Sequence, residues 1–79
     1  MEVPIFIEEV KKMSIEARDM MIGTLNEQYR SDITKVIEKM NAGFYPRMSD
    51  GFAAQDQIRT EHLASVMAIH HRYATSQAI

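Results

Sequence analysis

The chain reverses direction at one stretch of its sequence, NAGFYPRMSDG, which occupies residues 41–51. Gly43 can adopt the left-handed backbone conformation that ends many helices, and Pro46 cannot continue a helix because it lacks an N–H group. Ser49 or Asp50 can then serve as the N-cap of a new helix by accepting hydrogen bonds from its free N–H groups. The stretch therefore predicts a turn over residues 42–50 between two helices.

The residues before the turn predict one long amphipathic helix over residues 4–41. Pro4 suits a first helical turn, where its missing N–H group costs nothing. Apolar residues recur at steps of three or four and form a stripe: Phe6, Val10, Met13, Ala17, Met21, Leu25, Tyr29, Ile33, Val36 and Met40. A break at Gly23, followed by the capping-box pattern Thr24-Leu25-Asn26-Glu27, would instead give a three-helix bundle. Because the stripe passes Gly23 in phase, we favour a continuous helix.

The residues after the turn predict a second helix over residues 51–76 that carries few charges. Its apolar residues cover more than half of the circumference: Phe52, Ile58, Leu63, Val66, Met67, Ile69, Tyr73 and Ala74. A helix that is apolar on most sides is usually covered on most sides. The sequence thus predicts an all-α antiparallel helical hairpin, a single domain over residues 1–79, completed by oligomerisation or by a partner protein.

Composition and charge narrow the class of protein. A content of 46% hydrophobic and 25% charged residues is typical of a folded domain rather than a disordered chain. A net charge of -2 argues against a dedicated binder of nucleic acid or anionic membranes. The chain has no cysteine, no signal-peptide pattern and no apolar run of membrane-spanning length. We therefore expect a soluble cytoplasmic protein.

No pattern of residues indicates catalysis, a cofactor or a metal. His62 and His70 are eight positions apart, which separates them by about 80° on a helix, and His71 diverges from His70 by about 100°. Neither spacing directs two imidazoles at one metal ion, so these histidines are interpreted as surface or interface residues. The sequence also lacks a nucleophile elbow and a phosphate-binding glycine loop. We expect no enzymatic activity.

The small size of the chain makes a protein partner the central expectation. Cores of chains this short rarely supply more than about 3–5 kcal/mol without disulfides or metals. We therefore expect apolar side chains to bind another chain, and the candidate partner-binding residues are Leu63, Val66, Met67, Ile69, Tyr73, Met13, Met20, Met21, Phe44 and Tyr45. Flexible methionines suit adaptable helix-binding surfaces. The aromatic pair Phe44 and Tyr45 could instead fold back and plug the end of the hairpin.

These features favour a non-enzymatic interaction protein of the chaperone, adaptor or regulator type. It would bind a partner protein or itself, as a homodimer or a larger assembly. The alternative is a small DNA-binding transcriptional regulator or an antitoxin-like protein, although the balanced charge predicts weak attraction to phosphates. The layout of about 80 residues, two helices and a central proline-containing turn is similar to that of type III secretion needle subunits and their small co-chaperones. That resemblance implies a filament or secretion-apparatus subunit.

Overall fold

The computed structural model describes residues 12–78, and its two helices pack against each other as a hairpin. Helix α1 spans Ile15–Asn41 and helix α2 spans Met48–Gln77. Residues 12–78 contain no β-strand, so the predicted all-α hairpin is confirmed for this part of the chain. Helix α1 continues through Gly23 without interruption, which contradicts the three-helix alternative.

Helix α1 begins later than the prediction over residues 4–41. Residues 12–14 are not helical, and Ser14 is the N-cap, with its hydroxyl oxygen accepting a hydrogen bond of 3.0 Å from the Ala17 amide. The hydroxyl satisfies an amide that has no partner within the helix, and Glu16 in the first turn complements the positive end of the helix dipole. The predicted helix is therefore wrong at its start, and Pro4 lies outside the described residues.

Gly43 ends helix α1 in the predicted way. Its φ angle is 76°, in the left-handed region that favours glycine. The Gly43 amide donates to the Met40 carbonyl at 3.1 Å, and the Phe44 amide donates to the Lys39 carbonyl at 2.9 Å. These two hydrogen bonds form a Schellman motif, which satisfies carbonyls that the helix itself leaves free.

Helix α2 begins at Met48, and its N-cap is Arg47. Arg47 has an extended backbone and makes no side-chain capping bond, so the prediction of Ser49 or Asp50 as the cap is wrong. The helix starts two residues after Pro46, which places both of these residues inside its first turn. There the Asp50 carboxylate lies near the positive end of the helix dipole, where a negative charge is favourable.

The interior of the hairpin is a single seam between the two helices. Its residues are spaced three or four positions apart and are mostly half-buried: Ile22, Leu25, Tyr29, Ile33, Val36 and Met40 on α1, and Gly51, Gln55, Ile58, His62, Val66, Ile69 and Tyr73 on α2. Val36, 7% exposed, is the one buried hydrophobic residue among residues 12–78. Gly51 is buried against the Met40 side chain near the turn. The seam is therefore thin.

Candidate interaction surface

His62 joins the two helices near the middle of the hairpin. Its ring lies 4.5 Å from the Tyr29 ring, between centroids, and its Nε2 atom is 2.9 Å from Oδ1 of Asn26. Arg59 lies one turn earlier on α2, and the neighbouring Tyr29 and Asp56 raise the pKa of its guanidinium above the usual value. His62 thus contacts α1 within the chain, whereas His70 and His71 are exposed. Sequence spacing alone did not distinguish these positions.

The open end of the hairpin is fastened by hydrogen bonds to the residues that precede α1. The backbone amide of Met13 donates to the buried Ser76 hydroxyl at 3.0 Å. The side-chain amide of Gln77 donates to the Met13 carbonyl at 2.9 Å. The Arg18 guanidinium lies 4.6 Å from the centroid of the Tyr73 ring in a cation–π contact. Of the candidate partner-binding residues, Tyr73 therefore packs within the chain through its ring, and Met13 is held there through its backbone.

At the turn, the two aromatic residues have different environments. Phe44 is 66% exposed, with the Lys39 ammonium 5.0 Å from its ring centroid. Tyr45 is half-buried and lines a cleft of about 300 Å³ together with Ile37, Met48 and other residues near the turn. Tyr45 therefore folds back toward the helices as a plug would, and Phe44 does not.

The candidate partner-binding residues divide between the seam and the outer faces. Val66, Ile69 and Tyr73 are half-buried and share the face of α2 that contacts α1. Leu63 and Met67 on the same helix are 58% and 61% exposed. Met20 and Met21 on α1 are also exposed. Only the exposed members of the set are available to a partner in this conformation.

A line of exposed residues runs along one side of α2, and we call it the outer stripe: Phe52, Asp56, Arg59, Leu63, Met67, His70 and Ala74. Helical geometry places all seven within an arc of about 80° centred on Leu63. Phe52, which is 53% exposed, lies outside the set of partner-binding residues predicted from the sequence. The sequence identifies Phe52, Leu63, Met67 and Ala74 as apolar positions of α2, but which of them face outward depends on the register between the helices.

The part of the chain that the structure describes contains neither a cluster of metal ligands nor a membrane-spanning segment. Among residues 12–78, no three His, Cys, Asp or Glu side chains converge in a way that could hold a metal ion. Neither α1 nor α2 has a segment that is both long and apolar enough to cross a bilayer. No protein-family model, curated protein or solved structure matches the chain.

Proposed function

We propose that this chain is a non-enzymatic interaction protein whose exposed helix faces are covered by another polypeptide. The observation that carries the proposal is the imbalance between buried and exposed apolar side chains. Val36 alone is buried among the hydrophobic residues of the described chain, while nine large ones are exposed: Ile15, Met20, Met21, Ile37, Phe44, Met48, Phe52, Leu63 and Met67. Leu63 and Met67 lie one turn apart on the same side of α2, and contiguous exposed apolar surface commonly marks a site of protein association.

Energetics support the same proposal. Moving a leucine or methionine side chain from full exposure to full burial stabilises a protein by roughly 1.5–3 kcal/mol. Leu63 and Met67 are both more than half exposed in the hairpin, so a partner that covers them adds part of this free energy. A short chain with a thin seam gains proportionally more from such cover than a large domain does.

The polar contacts of the hairpin support an interaction role more than a catalytic one. His62 is occupied by Asn26 and Tyr29, and Arg59 is paired with Asp56 on an exposed face. General acid–base catalysis requires a titratable group that is positioned in a cleft toward a substrate. The exposed apolar side chains of α2 are instead suited to an adaptor or chaperone-like role, in which one helix face receives another protein.

The proposal is tested by the mass of the full chain in solution, measured by light scattering after size exclusion. We expect the wild-type chain, alone or in an extract of its native host, to form particles heavier than 9.1 kDa. Leu63→Glu places a carboxylate in the outer stripe and should abolish them. Ala68→Glu is the matched control, because Ala68 is exposed about 140° around α2 from Leu63.

A monodisperse particle of 9.1 kDa in both settings, with a sharp thermal transition, would contradict the proposal. It would also be contradicted if Ala68→Glu disrupted the assembly as fully as Leu63→Glu, because association would then not depend on the stripe. Circular dichroism of both variants checks that each remains helical, which is expected because both positions are exposed and glutamate is a good helix former.

A further inference from the structure

The partner that the outer stripe fits best is a second copy of this chain, an inference that rests on the proposed function and names its partner. We infer that two copies associate through α2, antiparallel to each other, about a twofold axis that passes near Leu63. Three observations support this arrangement: the spacing of the stripe, its exposure, and the match between residues on either side of Leu63.

The spacing of the stripe is that of a coiled-coil seam. From Phe52 to Ala74 its positions follow at steps of four, three, four, four, three and four residues. Helices pair along such a line when apolar residues repeat on it about every 3.5 residues, and four of its seven residues are apolar: Phe52, Leu63, Met67 and Ala74. The seam with α1 lies on a different side of α2, because seam residues such as His62 and Tyr73 are turned about 80–100° away from Leu63. Helix α2 can therefore contact α1 and a second helix at the same time.

All seven residues of the outer stripe are exposed, so the stripe is accessible to a partner in the hairpin. The Asp56 and Arg59 side chains, which pair with each other, are 72% and 55% exposed. Exposed pairs of this kind contribute little to the stability of an isolated chain. They can nevertheless determine which orientation of a partner helix is favoured, because like charges that meet across an interface are costly.

An antiparallel twofold arrangement matches residues at equal distances before and after Leu63. Asp56, seven positions before, meets His70 of the second copy, seven positions after, and the carboxylate can accept a hydrogen bond from the imidazole. Phe52, eleven positions before, meets Ala74, eleven positions after, so a large side chain faces a small one. Both matches occur twice, as the symmetry of such an interface requires.

The centre of the stripe makes mainly apolar contacts in the same arrangement. Leu63 meets Leu63 at the axis, and Arg59 meets Met67, four positions on either side. The aliphatic part of Arg59 can pack on the methionine while its guanidinium stays with Asp56 of its own chain. A parallel arrangement would instead bring Asp56 onto Asp56 and Arg59 onto Arg59. Charge thus selects the antiparallel orientation, and the result is a closed dimer of two hairpins.

Single cysteines test this geometry, because the chain has none of its own. In Leu63→Cys, the two substituted residues face each other across the axis. Their Cα atoms are then expected within the roughly 7 Å that a disulfide allows. In Phe52→Cys, the two thiols are separated by 22 helical residues, or about 33 Å, and the same holds for Ala74→Cys. We expect mild oxidation to link Leu63→Cys chains, and to link Phe52→Cys to Ala74→Cys in a mixture but neither of these alone. Ala68→Cys, on another side of α2, is the control.

Three results would overturn the inference. Leu63→Cys chains that cross-link no more than the Ala68→Cys control would exclude a second copy on the stripe. Efficient cross-linking of Phe52→Cys alone would indicate a parallel or open-ended association. A purified chain of 9.1 kDa at every concentration would also exclude self-association. In that last case, the wild-type chain could still form a heavier particle in a host extract. If Leu63→Glu abolished that particle, the proposed function would stand with a different protein on the stripe.

Discussion

At the scale of single residues, the three glycines of the chain have three different roles. Gly43 occupies the left-handed region at the end of α1, which a residue with a Cβ atom adopts only at a cost. Gly51 is buried beneath Met40, where a Cβ atom would lie 2.5–2.9 Å from three atoms of that flexible side chain. Gly23 is an exposed position inside α1 with nothing within 4 Å of an added Cβ atom. The same residue type therefore ends, packs or weakens a helix according to its place.

Gly23→Ala should stabilise the hairpin by up to about 1 kcal/mol, because alanine is the better helix former and the site has room for its methyl group. Denaturant unfolding at fixed protein concentration measures the change. Gly43→Ala is the paired comparison and should destabilise by about 1 kcal/mol, since its φ angle of 76° is strained for alanine. Destabilisation by Gly23→Ala would indicate that this position is not the open helical site described above.

The residue scale also shows how far sequence reasoning extends. Gly43 was predictable, because its conformational freedom and the nearby Pro46 both indicate the end of a helix. Ser14 was not, because the apolar spacing of Val10, Met13 and Ala17 stays in phase across the N-cap. Periodicity reports which face of a helix is apolar, whereas a cap depends on one local hydrogen bond that competes with continuation of the helix.

At the scale of elements, α1 and α2 are held together by one seam and by contacts near its two ends. The seam follows from the spacing of apolar residues, and its existence was predictable. The contact between His62 and Tyr29 was not, because it depends on the register of one helix against the other. Register is set by the length and geometry of the turn, and by packing of Gly51 against Met40, rather than by either helix alone.

Val36→Ala should destabilise the hairpin by about 1.5 kcal/mol, because it removes roughly two buried methyl groups from the part of the seam near the turn. Lys35→Ala, at the exposed neighbouring position, is the control and should change the free energy of unfolding by less than about 0.5 kcal/mol. Equal effects from the two variants, measured by denaturant unfolding at one protein concentration, would show that Val36 is not part of the core.

Ser76→Ala should loosen the open end of the hairpin. The hydroxyl accepts a hydrogen bond from the Met13 amide and donates one to the Tyr73 carbonyl, and its loss leaves the Met13 amide with no partner at that position. Loss of one such bond costs about 1 kcal/mol. Hydrogen exchange should show faster exchange of the Met13 amide in this variant than in the wild type. Ser65→Ala, at an exposed site on α2, should leave that rate unchanged.

At the scale of the whole molecule, the described residues 12–78 leave the outer stripe exposed, with its apolar members Phe52, Leu63, Met67 and Ala74. The sequence predicted that α2 has more apolar surface than one neighbour can cover, and this expectation depended only on residue counts around the helix. Which residues face α1 and which face outward depends on the register between the helices. Val66, Ile69 and Tyr73 therefore belong to the seam, while Phe52, Leu63 and Met67 lie on the outer stripe.

The mass of the purified full-length chain, followed by light scattering over a range of concentrations, tests the central claim most directly. Two copies joined along the outer stripe should give a particle of about 18 kDa, twice the 9.1 kDa of one chain. Leu63→Glu should reduce this mass to that of a single chain, and Ala68→Glu should preserve it. A wild-type chain that remains at 9.1 kDa at every concentration and unfolds in one sharp thermal transition would contradict the claim that a second copy of this chain covers α2.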